Sequence, residues 1–475
     1  MTSTSTATAP PDWVHDAVFY QVFPERFANG DRTLDPPDVA PWGTEPTREN
    51  FFGGDLPGLS AHLDHITSIG ANAIYLTPVF EADTNHRYDA KDYFAIDHRL
   101  GGIDAFRTFL REAHSRGIRV VLDAVLNHCG DGHWAFRDVV EREADSPYVN
   151  WFMVEDFPVR AQPEPNYRTC SGCYYLPKWN VHNPEVRDHH LRVARHWIDE
   201  GIDGWRLDVP NFVNKSFWRR FHEVVKAAGE QLYIVAEEWR DPEEWLTGDL
   251  ADGTMGYTLR DLVLGFTADG SLSAPDLAHG LQVLRDRIPA PFRGTMLNLL
   301  GSHDTERVLT RHGGDPAAVR LAFALLFGVQ GAPMVYYGDE VGMAGANDPG
   351  CRGTMPWDRA AWDEETLTWV TALGRLRRDV PALRRGEQTA LAAGPDVALV
   401  LRDAGDQGQA LTVANRSPAP ATIDLHALPE LREPRGGGGV ATRPWVAQLG
   451  RAVMDNATQS GLVRVESASA ALLTR

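Results

Sequence analysis

The segment DAFRTFLREAHSRGIRVVLDAV, residues 104–125, joins an amphipathic helix to a buried strand, and this unit decides the fold of the chain. Asp104 is suited to cap the helix, and Gly117 to end it. The apolar residues between them recur at i, i+3, i+4 and i+7, namely Phe106, Phe109, Leu110 and Ala113. The run IRVVLDAV (118–125) that follows is predicted to be a strand.

The same order of helix, glycine and strand occurs three more times. The strands of these units are predicted at DGWRLDV (203–209), QLYIVAEEW (231–239) and APMVYYGDE (332–340). Further strands are predicted at AVFYQVFP (17–24), ANAIYLTP (71–78) and TMLNLLGSHD (295–304), and an eighth within 253–266, where the pattern is weak. Alternating strands and helices imply a parallel sheet with right-handed crossovers.

Two α/β architectures have such a sheet, the open doubly wound fold and the closed (β/α)8 TIM barrel. The doubly wound nucleotide-binding fold needs a GxGxxG motif after its first strand, and AVFYQVFPERFANG (17–30) lacks it. A repeat region of about 320 residues also favours the barrel. We therefore predict a (β/α)8 barrel whose reactive side chains lie where strands end.

Two segments interrupt the alternation. Residues 129–180 are rich in aromatic residues, Pro and Gly without a clear helical period, which predicts a small domain inserted after strand 3. Residues 373–475 contain short extended stretches separated by turns, with GGGG (436–439) as a flexible loop, and predict a C-terminal β-sandwich. The barrel is expected over 13–128 and 181–372, after a disordered tail over 1–12.

Composition limits the possible partners. The 475 residues include 46 Lys+Arg and 65 Asp+Glu, a formal net charge of −19 that disfavours nucleic acid and anionic lipid. No apolar run approaches the roughly 20 residues of a membrane-spanning helix. The N-terminal segment lacks the basic and apolar regions of a signal peptide, so a cytoplasmic protein is expected.

The four cysteines, Cys129, Cys170, Cys173 and Cys351, are too few for a disulfide scaffold. The spacing CSGC (170–173) suits a metal or redox site, but a single CxxC is a weak signal. Ordinary reduced cysteines are the favoured interpretation over zinc.

Acidic residues close several of the predicted strands. Asp208, Glu237 and Asp304 would meet at one end of the barrel, where burial is costly without a partner or a function. One interpretation is an ion-pair network with three nearby arginines, namely Arg206, Arg240 and Arg307. Three acids on the catalytic face favour a functional site instead.

The surroundings of these acids indicate the type of chemistry. His86, His128 and His303 would be neutral hydrogen-bond donors if buried, and the chain has no nucleophilic Ser or Cys motif. Carboxylates with neutral donors and many aromatic residues suit glycoside hydrolysis, in which one carboxylate attacks the anomeric carbon and another protonates the leaving oxygen.

The chain resembles the α-amylase family, glycoside hydrolase family 13, over nearly its whole length. The family's ordered blocks are present as NHRYD (85–89), LDAVLNH (122–128), LPKWN (176–180), GWRLDV (204–209), AEEW (236–239), GSHDTER (301–307), QGAPMVYYGDE (330–340) and NDPGCRGTMPWD (347–358). Within the family the chain looks most like the cyclomaltodextrinase, neopullulanase and maltogenic amylase group.

The resemblance implies roles for matching positions. Asp208 would be the nucleophile, Glu237 the general acid/base and Asp304 a stabiliser of the transition state. Arg206, on the same face of the strand as Asp208, would hold that carboxylate ionised, whereas burial and Asp208 would raise the pKa of Glu237. The resemblance further implies a set of sugar-binding residues, namely His86, Tyr88, His128, Arg206, Trp239 and His303, with Phe212 on the acceptor side.

The resemblance also implies a structural calcium ion and no organic cofactor. NGDRTLD (29–35) and GGD (53–55) offer the hard oxygen ligands that calcium prefers, through Asn29, Asp31, Asp35, Gly53 and Asp55. A pair of polar turns without metal is the alternative, since Leu34 replaces an oxygen donor that is frequent in the group.

Two features depart from the group. Its members usually begin with a β-domain of more than a hundred residues that helps form a dimer, whereas the first strand here is predicted near residue 17, so the oligomeric state stays open. The group usually has Glu or His four residues after the nucleophile, where this chain has Phe212, which could be either a stacking surface or part of the core.

The implied function is a retaining hydrolase acting on the α-1,4 bonds of maltooligosaccharides or cyclodextrins, with some transglycosylation. An α-glucosidase or a glucanotransferase of the same family is the alternative within the class. A non-catalytic carbohydrate-binding homologue would be expected to lose one of the acids, and Asp208, Glu237 and Asp304 are all present.

Overall fold

Eight parallel strands form the centre of the computed structural model, which describes residues 8–431, 445–450, 452–454 and 462–475. The strands are β1 (Phe19–Val22), β2 (Ala73–Leu76), β3 (Arg119–Ala124), β4 (Gly204–Leu207), β5 (Tyr233–Ala236), β6 (Gly253–Thr254), β7 (Leu297–Leu299) and β8 (Ala332–Tyr336). They pair in the order β6-β5-β4-β3-β2-β1-β8-β7, and a parallel bridge between Met255 and Leu297 joins the two ends. The predicted (β/α)8 TIM barrel is confirmed.

The helices lie around the barrel and between its domains. They span Pro24–Phe27, Leu56–Ala61, Leu63–Ser68, Gly102–Ser115, Trp134–Arg142, Pro184–Glu200, Lys215–Ala228, Tyr257–Thr267, Ala274–Arg287, Val308–Arg311, Pro316–Gly328, Glu364–Asp379 and Pro381–Arg385. The predicted cap at Asp104 is wrong, because the helix begins at Gly102 after Gly101 at φ +98°, and Asp104 lies inside its first turn. A side-chain cap is present on Pro184–Glu200, where Asn183 accepts a hydrogen bond from the backbone of Glu185 and Gly201 ends the helix at φ +107°.

Successive side chains along each barrel strand point alternately into the barrel and out toward the helices, so the core has an inner and an outer part. The same alternation places polar groups at one mouth of the barrel. Phe19, Tyr75 and Val121 pack inside the barrel, and their sequence neighbours pack against the helices. Asp123 lies two residues after Val121 on β3, and Glu237 two residues after Val235 on β5. Both carboxylates therefore face the barrel axis at the carboxyl ends of the strands.

The segment inserted after β3 is held by aromatic packing and by single bridges. Phe152 stacks on Trp179 at 4.8 Å between ring centroids, and both residues are buried. The sequence showed no helical period here, yet Trp134–Arg142 forms a helix with Phe136 and Val139 buried. A separate hairpin, Phe80–Ala82 with Ala90–Ile96, lies between β2 and β3.

Two antiparallel sheets form the C-terminal β-sandwich. One contains Glu387–Ala392, Val397–Asp403, Gln409–Asn415, Ser469–Thr474 and Val446–Gly450, and the other contains Ala421–Asp424, Leu462–Val465 and Ala452–Met454. The helix Glu364–Asp379 crosses residue 373, so the sheets begin at Glu387 and not at the predicted boundary. The predicted loop 436–439 and residues 1–7 of the predicted tail lie outside the described residues.

Candidate active site

One guanidinium at the mouth of the barrel contacts three carboxylates. Arg206 Nη1 lies 2.9 Å from Asp123 Oδ1 and 2.8 Å from Asp208 Oδ1, and Arg206 Nη2 lies 3.0 Å from Glu237 Oε2. Arg206 and the three acids are all buried. The shared guanidinium makes the carboxylates of Asp208 and Glu237 neighbours.

Glu237 receives hydrogen bonds on both oxygens. The backbone N–H of Val209 donates to Oε2 at 2.8 Å, and Trp239 Nε1 donates to Oε1 at 3.1 Å. The adjacent Glu238 faces away, as strand alternation predicts, and accepts hydrogen bonds from Asn211 and Trp245. Glu237 is thus the glutamate of AEEW that lies in the cleft.

Asp304 follows β7 and is the more exposed acid, with 28% of its side chain accessible. Its Oδ2 lies 3.2 Å from His303 Nε2, and its Oδ1 lies 3.3 Å from Arg352 Nη2. The Tyr88 ring is parallel to the His303 imidazole, at 5.7 Å between centroids, and its hydroxyl bonds to that imidazole and to Asp123. Asp304 and Tyr88 therefore lie beside the arginine cluster.

Burial raises the pKa of two aspartates in this cluster. It raises the pKa of Asp208 well above its ordinary value; the Arg206 cation opposes the rise, while Asp123 and Glu237 add to it. Burial raises the pKa of Asp123 as well. The predicted ion pair between Arg206 and Asp208 is present, but the effect of burial on the pKa of Asp208 outweighs the attraction of the cation. The carboxyl groups of Asp208 and Asp123 therefore hold their protons to higher pH than isolated aspartates do.

The three predicted histidines are neutral at pH 7. Burial lowers the pKa of His86 to about 3 and of His128 to about 4, and it holds the pKa of His303 well below its ordinary value. His86 Nδ1 accepts the backbone N–H of Tyr88 at 3.1 Å, so its proton is on Nε2. His86 Nε2 is thus a neutral donor and His128 Nε2 has no hydrogen-bond partner among the described residues, whereas the His303 ring is already bonded to Gln21 and to Tyr88.

A residue with left-handed backbone conformation sets the orientation of His86 and Tyr88. Arg87, between them, has φ +59°, a value that is uncommon for residues other than glycine. Its guanidinium is buried and bonds to Asp97 at 2.8 Å and to the Asn85 carbonyl. The buried arginine anchors the turn, and its two neighbours are held at the cleft.

Two predicted sugar-binding residues, Trp239 and Phe212, are exposed aromatics. Trp239 is 42% exposed and stacks on Tyr257 at 3.6 Å between centroids, with 7° between the rings. Phe212, in the turn Pro210–Phe212 after β4, is 59% exposed, and Lys178 Nζ lies 5.6 Å from its ring centroid. Phe212 does not belong to the core, which excludes that alternative.

The sequence reasoning missed two site residues. Asp123 lies near the end of the run IRVVLDAV and shares Arg206 with the other acids, but its position on the strand does not by itself indicate a role. Arg352 lies within NDPGCRGTMPWD, 48 residues from Asp304, and no local pattern indicates that contact. The alternative ion-pair network is limited to Arg206, since Arg307 pairs with Asp339 and Arg240 is exposed.

The predicted calcium residues lie together, but their carboxylates are partly engaged. Asp55 accepts hydrogen bonds from the backbone of Gly30, Asp31 and Gly58, and Asp31 accepts two from Thr33. In the part of the chain that the structure describes, three carboxylate, imidazole or thiol ligand atoms lie mutually within 4.8 Å only at Glu81, Asp97 and His98. The three aspartates therefore do not converge as a carboxylate cage.

One observation still supports a cation at these loops. Asn29 Oδ1 is buried and accepts no hydrogen bond, and its Nδ2 lies 2.6 Å from Asp35 Oδ1. Gly53, at φ +79°, lies so close that a Cβ there would be 2.1 Å from the same Asp35 oxygen. Asn29 and Asp35 thus lie together beside the Gly53 backbone, and the unsatisfied Asn29 oxygen is an acceptor that fits a hard cation.

The structure also shows the surroundings of the CSGC segment and the lengths of the helices. Cys170 and Cys173 flank a turn closed by a 2.9 Å backbone hydrogen bond, and neither belongs to a group of three metal-ligand side chains among the described residues. No helix within the described ranges is both long and apolar enough to cross a membrane.

Comparisons with known proteins agree with this geometry. Residues 21–386 match the family described as alpha amylase, catalytic domain. The chain is 44% identical over 418 residues to a cyclomaltodextrinase from Geobacillus thermopakistaniensis, covering 87% of this chain and 71% of the relative. It is 41% identical over 433 residues to neopullulanase 2 from Thermoactinomyces vulgaris, covering 90% and 73%.

A solved structure is more similar in sequence. The cyclic alpha-maltosyl-(1→6)-maltose hydrolase from Arthrobacter globiformis, in complex with that cyclic sugar, is 59% identical to this chain. The match covers 98% of this chain and 100% of the other, with a TM-score of 0.91.

Proposed function

The chain belongs to the α-amylase family, glycoside hydrolase family 13, and from this membership we propose that it hydrolyses α-1,4 bonds of maltooligosaccharides and small cyclic α-glucans with retention of configuration. The observation that carries the proposal is the pair of carboxylates, Asp208 and Glu237, held on the two terminal nitrogens of Arg206. Neighbouring carboxyl groups, about 5 to 5.5 Å apart, are characteristic of retaining glycosidases.

In the first step an Asp208 carboxylate oxygen attacks C1 of the sugar while Glu237 gives its proton to the leaving glycosidic oxygen. The bond to C1 breaks with its electron pair on that oxygen, and a glycosyl ester on Asp208 results. These roles require Glu237 in its protonated form and Asp208 in its ionised form beside Arg206 at the start of the step.

In the second step Glu237 accepts a proton from water, whose oxygen attacks C1 and releases Asp208. A sugar hydroxyl in place of water gives transglycosylation. Asp304, held by Arg352 and His303, grips sugar hydroxyls as the ring flattens, and the neutral donors His86 and His128 bind the same sugar.

The preferred substrate and its products distinguish a hydrolase of small cyclic glucans from an α-glucosidase and a glucanotransferase of the same family. A small cyclic glucan containing α-1,6 links is favoured by the 59% identity to the Arthrobacter hydrolase over essentially its full length. Products from that cyclic tetrasaccharide, γ-cyclodextrin, maltotriose, pullulan and starch, resolved by chromatography, would show an α-glucosidase as glucose release and a glucanotransferase as longer oligosaccharides. NMR of the first products should show the α-anomer, and initial β-anomer would refute the retaining mechanism.

The proposal also covers a calcium ion and the location of the protein in the cell. Asn29, Asp35 and the Gly53 backbone would hold the calcium ion, which would stabilise the two loops and take no part in the reaction. A cytoplasmic location is supported by four cysteines that are all free, as is usual in a reducing compartment.

A further inference from the structure

A groove of about 740 Å³ lies on the outer side of the helix Pro184–Glu200, where this helix meets the inserted segment 129–180. Its lining residues are Tyr148, Trp151, Glu185, Asp188, Leu191, Arg192 and Arg195. None of them belongs to the cleft at the mouth of the barrel. The volume lies within the range of about 300 to 1,000 Å³ that is typical of small-molecule sites.

An exposed indole stands at the edge of this groove. Trp134, the first residue of the helix Trp134–Arg142, is 44% exposed. Its ring contacts two lining residues edge-on, Tyr148 at 4.9 Å and Trp151 at 5.6 Å between centroids. Trp151 is itself fixed, because its Nε1 donates to Glu185 at 2.8 Å. The Trp134 indole therefore packs against a fixed neighbour and leaves part of its apolar surface open to solvent, as a platform.

Polar groups beside the platform have no partner among the described side chains. Asp188 and Arg192 lie one turn apart on the helix, yet they form no ion pair and no side-chain hydrogen bond within the described residues. Arg195, one turn further, pairs with Asp199 at 2.8 Å. A carboxylate and a guanidinium without partners are an acceptor and a donor that adjacent sugar hydroxyls can satisfy together.

We propose that this groove is a second carbohydrate-binding site, which takes two or three glucose units of an α-glucan chain outside the catalytic cleft. A glucose ring would stack on Trp134 while its hydroxyls bond to Asp188, Arg192 and the Tyr148 hydroxyl. The choice of α-glucan as ligand rests on the proposed function. A polyanionic ligand is disfavoured by the net charge of −19.

Binding of maltoheptaose by isothermal titration calorimetry tests the proposal, with Glu237→Gln as the background so that the ligand is not consumed. We expect two sites per chain in this background and one site after Trp134→Ala is added. Trp134→Phe keeps a ring and should keep the second site with reduced affinity. Val140→Ala, an exposed apolar residue on the same helix, is the matched control and should leave both sites.

A second measurement makes the test independent of the cleft. In native gels containing soluble starch, Trp134→Ala in the otherwise wild-type protein should reduce the retardation at least five-fold. The kcat/KM on maltotriose should stay within two-fold of the wild-type value. If Trp134→Ala does not fold, the double variant Asp188→Ala with Arg192→Ala replaces it, since both side chains are exposed.

Three results would overturn the proposal. They are a single maltoheptaose site in the Glu237→Gln background, unchanged retardation of the Trp134 variants, and a Trp134-dependent change of mass in solution without a change of retardation. The last result would make the groove a contact between copies of the chain. Failure of the proposed function gives a different result. The wild-type protein would then not hydrolyse maltotriose, while its retardation by starch would still depend on Trp134.

Discussion

Phe212 gives the most direct test of how the acceptor side selects between water and a sugar. The ring is 59% exposed in the turn that follows Asp208, and Lys178 Nζ lies 5.6 Å from its centroid. Phe offers a stacking face but no hydrogen-bond donor or acceptor. An incoming sugar can use that face and a water molecule cannot, so Phe212→Glu should favour hydrolysis.

The size of the expected change in the product ratio follows from these contacts. An aromatic contact of about 1 kcal/mol is worth roughly five-fold in binding, so the ratio of transglycosylation to hydrolysis should fall about five-fold. Stability should change little, because an exposed cation–π contact of about 0.5 to 1 kcal/mol is exchanged for an exposed ion pair of about 0 to 1 kcal/mol. The melting temperature should therefore stay within about 2 °C.

The assay is chromatography of products from concentrated maltotriose, in which longer oligosaccharides report transglycosylation and maltose with glucose reports hydrolysis. Phe212→Tyr keeps the ring and should keep the ratio, and Lys178→Met removes only the cation. Equal product ratios in the wild type and in Phe212→Glu would refute the reasoning. A fall of many degrees in the melting temperature would show instead that the ring has a packing role.

Three further predictions concern the acids, the metal and acid pH. Asp208→Asn and Glu237→Gln should each lower kcat by at least about 10² to 10⁴ with unchanged melting temperature, and retention of a tenth of the activity would contradict their roles. Calcium at about 100 times its dissociation constant should add about 2.7 kcal/mol to the free energy of unfolding, measured against chelator, and Asp35→Ala should abolish this difference. Burial lowers the pKa of His133 to about 3, so the unfolded chain takes up the proton first. Its stability contribution is full above about pH 6.5 and is lost as the pH falls toward 3, by about 2 kcal/mol at pH 5. His133→Asn should reduce the loss of unfolding free energy between pH 7 and pH 5 by that amount, and an identical loss would contradict the assignment.

The barrel could be predicted because its units are local. A helix face, a terminating glycine and an apolar run lie within about twenty residues of one another, as at 104–125, and periodicity detects them. The weak eighth strand has a physical reason, since β6 contains only Gly253 and Thr254 and two residues define no period. The helix Trp134–Arg142 was missed because its apolar residues lie among aromatic, Pro and Gly residues that signal irregular structure.

The candidate site was predictable where it lies on strand ends and unpredictable where loops converge. Asp208 and Glu237 follow buried runs, so their meeting follows from the fold. Arg352 reaches Asp304 from a loop after β8, and Trp134 reaches Tyr148 across the inserted segment. Such contacts depend on tertiary packing and leave no periodic signal in the sequence.

Val209 shows why the coupling between the two catalytic candidates is absent from the sequence pattern. A β-branched residue before proline favours extended backbone, yet Val209 has φ +35° and ψ +50°, a conformation that costs about 1 to 3 kcal/mol. Its neighbours impose it, since Asp208 N–H still bonds to Ala124 of β3 and Phe212 N–H closes the turn onto the Val209 carbonyl. The chain thereby leaves the barrel within one residue of the nucleophile, and the Val209 N–H is directed at Glu237. The local preference is thus violated at a backbone group that joins the loop of the proposed nucleophile to the proposed acid, and functional sites are where such violations are expected.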